Sequence, residues 1–385
     1  MFGFLKKLFA PKAGAQVPAP PPLPPAPITP IAPVVPEKAI EPEDDLLINA
    51  YCSAHTLPPL DFPHTVQARR SLADPALPAH LRGFAGWVQS VANGEMTQRR
   101  YHVLRHIEKV RHHVSLLVQP SQMDHFAAWA AEANAIAFFP NGFICDPAGA
   151  VLLSPGGAED NPDAAVPYPQ TAHERKARSE DLLAKRSLIG AASLPPVIAE
   201  SEVQLRSASA VAERVMALFA VGVRAESLAS KSPMSSDEIM QRLGLSDNAL
   251  SPAERKFIVD RTPAPKDIVQ FGWCYECAYT LAWAVGVIDT LPFPNAICNV
   301  ELIAQKLLKL GINGIQASAR VRPTGELLDC LDLHRRLHWI VRQAQVDRKT
   351  APANLEPGVI LERHRAMNWL VQFEGADWDD VDTPT

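Results

Sequence analysis

Eleven of the chain's 36 prolines lie between Pro11 and Pro36, and no charged residue stands between Lys12 and Glu37. Proline fixes φ and removes the backbone donor, so neither a helix nor a sheet ladder propagates through such a run. Residues 11–42 are therefore predicted to form an extended polyproline-type linker, stiff at about 3.1 Å per residue. A P-x-x-P match falls inside it, but in so proline-dense a stretch the match is nearly automatic. Any folded core must come from residues beyond 42. The 385-residue chain is 47% apolar and 21% charged, an ordinary globular balance. At about 100–200 residues per domain there is room for two domains after the linker.

Ahead of the linker stands MFGFLKKLFAPK. Phe2, Phe4, Leu5, Leu8 and Phe9 fall within an arc of about 160° on a helical wheel, with Gly3, Lys6 and Lys7 opposite. This pattern predicts an amphipathic helix over 1–10 that lies on an anionic membrane surface, with Lys6 and Lys7 toward the headgroups. It is not a secretory signal, because the lysines interrupt the apolar run instead of preceding it. Six cysteines at 52, 145, 274, 277, 298 and 330 make no disulfide framework. The expected location is the cytoplasm, peripheral to the inner face of the membrane. A net charge of -5 gives no reason to expect nucleic-acid binding. The stretch between Asp267 and Asp289 is long enough to span a bilayer, but it carries Glu276 and several polar groups. It is read as the buried central helix of a soluble domain.

The expected fold class is α+β. Residues 46–153 read as a small α/β domain, with strands at 46–52 and 114–118 and helices at 78–92, 97–110 and 121–132. An antiparallel meander comes next, turned by Asn141-Gly142 and by Asp146-Pro147-Ala148-Gly149. Residues 154–169 read as a loop. From 172 to 385 the pattern is mainly helical. Capping-box patterns stand at Ser201–Gln204, ahead of a run ending near 229, and at Ser251–Glu254, where Ser, Pro and Glu coincide at N-cap, N1 and N3. Another helix opens at Ser235–Glu238, and more are expected at 266–288, 299–310, 324–346 and 357–373.

Chemistry-bearing residues are few. Cys274 and Cys277 form a CxxC, but they lie inside an apolar helix without further ligands, so they read as core. Glu276 is a lone carboxylate there, and its burial demands a cation, hydrogen bonds or a metal. It is either half of a structural pair with Arg224 or Arg320, or a ligand-binding group. His334 and His338 lie four apart on the apolar stripe of their helix, with Arg335 at its flank. In ERHRAMNWL, His364 is a general-base candidate or a bridge between helices. Trp378 is expected to pack back into the core, with Asp379 and Asp380 capping a helix or pairing with arginines. The basic run at 99–113 reads as a solvated helix face. P-loop, G-x-G-x-x-G and G-x-S-x-G motifs are absent, and no cofactor is assigned.

FGWCYECAYTLAWAVGVIDTLPFP (271–294), ELLDCLDLHRRLHWIV (326–341), VILERHRAMNWL (359–370), WDDVDTPT (378–385), RKARSEDLLAKRSL (175–188) and LSPAERKFI (250–258) together resemble the domain of unknown function 4272 family. The resemblance covers about 172–385, and 82–153 resembles the N-terminal region of longer members. It implies no activity. It matches Trp273, Tyr275 and Glu276 to a W-x-Y-E-A pattern and places Cys274 and Cys277 where other residues are usual. His338, Glu362, His364 and Asn368 match, whereas the family often has tyrosine at position 334. The resulting expectation is a bacterial-type, non-enzymatic binding or scaffolding module at the membrane face, with a protein or small-molecule partner. Its polar site is expected to gather Glu276, His338, Glu362, His364 and Asn368. The alternative is a metal-assisted hydrolase using His338, His364 and Glu362 as ligands.

Overall fold

The computed structural model describes residues 45–91, 95–159 and 161–385. The amphipathic tip at 1–10 and the proline-rich linker at 11–42 lie outside them. The described residues form an antiparallel sheet unit followed by a helical unit, the α+β class expected.

The sheet unit comprises β1 (Leu46–Cys52), β2 (Thr65–Ser71), α1 (Ala76–Ser90), α2 (Gln98–Lys109), β3 (His112–Val118), α3 (Met123–Glu132), β4 (Ala135–Phe138), β5 (Ile144–Cys145) and β6 (Val151–Leu153). Its strand order is β2-β3-β1-β4-β5-β6. β1 is central because both its faces are apolar. Ile48, Ala50 and Cys52 meet Phe126, Trp129 and Ala130 of α3. Tyr51, on the other face, meets Phe84 and Val88 of α1 and Val103 and Ile107 of α2. Period-two alternation thus feeds two cores from one strand. The predicted turns form, with Gly142 and Gly149 at positive φ. β2 was not expected: TVQARRS is a half-exposed edge without apolar alternation.

The helical unit comprises α4 (Gln170–Ala184), α5 (Ala208–Ala229), α6 (Ser236–Leu243), α7 (Pro252–Val259), α8 (Pro265–Gly272), α9 (Cys274–Ala284), α10 (Val300–Ser318), α11 (Thr324–Val346) and α12 (Pro357–Leu370). Two differences from expectation have clear causes. The helix expected from Ser201 begins at Ala208, capped by Ser207. Gln204, the N3 residue of the expected box, is engaged elsewhere, its Oε1 receiving Arg111 Nη2 at 3.4 Å and its carbonyl Gln372 Nε2 at 3.2 Å, while the neighbouring Glu202 carboxylate receives Ser53 Oγ at 2.7 Å, Asn134 Nδ2 at 3.1 Å and Lys109 Nζ at 3.3 Å from the sheet unit. The helix expected over 266–288 breaks at Trp273 and stops at Ala284, ahead of Gly286 in the left-handed region.

α5 and α9 form the centre. Every residue of α9 is buried, and Gly222 on α5 lets the Tyr275 ring approach the backbone. α12 packs on both α9 and α11. Among the described residues, no helix is long and apolar enough to cross a membrane.

Candidate functional site

α12 carries four of the relevant side chains, Glu362, Arg363, His364 and Asn368. Successive residues of a helix point about 100° apart, so neighbours in sequence meet different neighbours in space. Glu362 faces α8 and α9, where its carboxylate receives Cys277 Sγ at 3.2 Å and Gln270 Nε2 at 3.4 Å. Burial pushes this carboxyl above the usual range, partly countered by Arg365. Arg363 Nε donates to Glu276 Oε1 at 2.7 Å, and the backbone N–H of Cys298 donates to Glu276 Oε2 at 2.8 Å. Glu276 is therefore one half of a buried pair. Its partner is Arg363 and not Arg224 or Arg320, both of which are committed to carbonyl oxygens.

His364 faces α11, with its Nδ1 3.0 Å from Nδ1 of His338. Both imidazoles are buried, and burial is the main cause that lowers their pKa, to about 4 for His338 and well below the ordinary value for His364. His334 stays apart from this pair. Its Nδ1 meets its own helix at the Cys330 carbonyl, 2.8 Å away. Asn368 donates to the Asp382 carbonyl at 2.8 Å. The five expected residues thus do not share one cluster. His338 and His364 touch, Asn368 lies one turn along the same face, and Glu276 and Glu362 sit in separate contacts elsewhere around α12. Among the described residues, no group of three or more His, Cys, Asp or Glu side chains is arranged to hold a metal ion.

His364 and Asn368 do line a cleft of about 780 Å³ between the two units. α2 forms one wall, and α11, α12 and the turn after α12 form the other. The loop at 195–204 runs between them. Tyr101, Arg105 and Lys109 of α2 line it at i, i+4 spacing, as does Arg335 of α11. The basic run is therefore not simply a solvated face. Arg100 and His106 are buried, and its other face borders the cleft. That i, i+4 row of one aromatic and two cations was the available signal. Arg335 gave none beyond its place at the edge of the stripe.

The cleft is held in place by polar struts. His55 N–H donates to the Ser201 carbonyl at 2.8 Å, beside the Glu202 contacts, and Arg105 pairs with Glu374 across the gap. Lys109 also lies 4.8 Å from the Tyr168 ring centroid.

The family model for DUF4272, a domain of unknown function, matches residues 175–381. The chain belongs to this family. No curated protein and no solved structure matches it significantly. The DUF4272 segment runs from α4 to beyond α12 and so supplies Arg335, His364 and Asn368. The wall of the cleft made by α2 lies outside that segment.

Proposed function

We propose that this DUF4272 protein is a non-enzymatic binding module whose site is the cleft between the sheet unit and the helical unit. The observation that carries the reading is the cleft itself. Its volume of about 780 Å³ lies within the range of small-molecule sites, and its walls combine apolar side chains with charged and polar ones. Junctions between units are preferred places for such sites. The hydrolase alternative has less support, since Glu362 faces α8 and α9 while the imidazole pair faces α11. The amphipathic tip and the stiff linker add a second element: the module is held at the anionic cytoplasmic face of a membrane.

A fragment screen by ligand-observed NMR tests the first element. Ile198 is half-buried in the cleft wall, and Ile198→Trp fills the space. Fragments bound by the unaltered chain should be lost from this variant. Equal binding to both would put the site elsewhere. Liposome co-sedimentation tests the second element. Removal of residues 1–12 should abolish pelleting with vesicles rich in anionic lipid, and unchanged pelleting would dismiss the tether.

A further inference from the structure

The geometry points to the cleft as the site of a small organic monoanion, a carboxylate on an apolar or aromatic body, held by Arg335 and His364. This rests on the cleft being the binding site.

The charges on the walls are unevenly answered. Four cationic and three anionic side chains line the cleft. Arg105 is paired with Glu108 at 2.7 Å and with Glu374, and Lys109 with Glu202 at 3.3 Å. Arg111 reaches Gln204 Oε1 at 3.4 Å. Like Arg111, Arg335 forms no ion pair among the described residues, but its contact is part-buried where that of Arg111 is exposed: Nη1 donates to the carbonyls of Pro195 at 2.8 Å and Pro196 at 3.5 Å. Nε and Nη2 of a half-buried guanidinium are left without a protein acceptor among these residues. These two nitrogens remain open to solvent or to a ligand, and a carboxylate matches the planar fork of a guanidinium.

An independent observation lies beside it. His364 is wholly buried and lines the cleft, yet its Nε2 has no partner among the described residues. The Nδ1···Nδ1 contact with His338 determines what that nitrogen offers. Two neutral imidazoles carry one N–H each. When His338 donates, His364 accepts through Nδ1 and carries its proton on Nε2, which is then a donor. When His364 donates, its Nε2 is bare. An anion in the cleft selects the first arrangement, so the pair converts a proton position two rings deep into affinity for negative charge.

The charge count sets the class. One part-buried guanidinium and one neutral N–H suit a single negative charge better than a phosphate dianion, which calls for several cations or free backbone donors; Arg111, the other cation without an ion pair, is engaged by Gln204 in an exposed contact. The remaining wall, with Val197, Leu331, Val371, Tyr101 and Tyr168, takes an apolar or aromatic body.

The test uses the full chain labelled with ¹⁵N at histidine, titrated with 3-phenylpropionate, with its neutral isostere 3-phenylpropanamide, and with inorganic phosphate. His364→Asn assigns the His364 signals. The acid should move the His364 nitrogens toward the Nε2–H form and bind about tenfold or more tighter than the amide. Arg335→Gln should cost the acid about tenfold and leave the amide unchanged. Should that variant fail to fold, the comparison of acid with amide on the unaltered chain decides alone. An amide that moves His364 as strongly as the acid overturns the carboxylate class while leaving the cleft a binding site, as does phosphate binding more tightly than the acid. Undiminished acid binding in Arg335→Gln overturns the role of Arg335. No response of His364 to any of the three probes overturns this proposal. The cleft reading itself fails only if the fragments also bind equally to Ile198→Trp.

Discussion

Glu276 and Arg363 show how one side-chain pair can look functional in sequence and be structural in space. Both are buried, and the pair is completed by the Cys298 amide. Removing one partner leaves an uncompensated charge in the core, which costs about 3–5 kcal/mol. Arg363→Met should therefore lower the guanidinium midpoint sharply, and Glu276→Leu combined with Arg363→Met should recover part of the loss. A double variant as weak as the single one would mean that the Cys298 amide and the Pro292 carbonyl, which accepts from Arg363 Nη1, matter more than the charges. The buried imidazoles make a second prediction. Burial, the leading cause in each case, lowers His106 and His338 to about 4 and His113 and His334 to about 3. The unfolded chain takes up these protons near pH 6.5 while the native state refuses them. Stability present at neutral pH is therefore lost as pH falls below about 6.5, by about 1.4 kcal/mol per pH unit for each group, until the native values are reached. Glu362, raised by burial, works in the opposite sense near the carboxylate range. His334→Tyr removes one such group and should flatten the slope between pH 6 and 4.5 by about 1.4 kcal/mol per unit in denaturant titrations. An unchanged slope would mean that His334 is not held neutral.

Helix starts were legible where a local signal had no competitor. Ser251, Pro252 and Glu254 form the predicted box, and Asp379 adds a bond to the Ala253 amide at 2.9 Å. Ser251→Ala should cost about 1 kcal/mol in thermal unfolding. The similar pattern at Ser201 failed where Gln204, its N3 residue, is engaged by Arg111 and Gln372, and no local rule sees partners so distant in sequence. The break at Trp273 was hidden for a related reason. Apolar periodicity continues across it, while α8 packs chiefly on α5 and the Trp273 ring lies against Gly358 of α12. Gly222 illustrates how packing overrides propensity. Alanine in a helix gains about 1 kcal/mol over glycine, but a Cβ there would lie 2.9 Å from the Tyr275 ring. Crowding of this kind costs about 1–3 kcal/mol. Gly222→Ala should therefore lower the melting temperature, and a rise would show that the Tyr275 ring can yield.

Among the struts that join the two units, Glu202 binds three side chains of the sheet unit at once. Glu202→Ala leaves Ser53, Asn134 and Lys109 without their shared acceptor. The expected result is a split calorimetric transition, with the sheet unit melting apart from the helical unit. A single cooperative transition would show that the remaining contacts, His55 to Ser201 and Arg105 to Glu374 among them, suffice to couple them. The α+β class could be read from period-two and period-3.6 patterns. The site could not. His338, His364 and Asn368 were recognisable as polar groups on an apolar face, but Arg335 and the α2 row acquire meaning only when the two units meet. A functional surface at a junction leaves half of its pattern in each partner, and neither half is distinctive alone.

The segment after α12 has little regular structure yet touches much of the molecule. Trp378 is buried, its ring edge-on to Trp369 at 5.5 Å with Arg214 and Arg365 near its face. Between these anchors and α12 lies an exposed turn, Glu374 and Gly375, whose residues also border the cleft. Proteases cut such turns during local opening, at a rate that tracks the population of the open form. A ligand seated in the cleft opposes that opening. Cleavage at this turn therefore serves as a label-free assay of occupancy: the band that survives digestion longest marks the compound that binds.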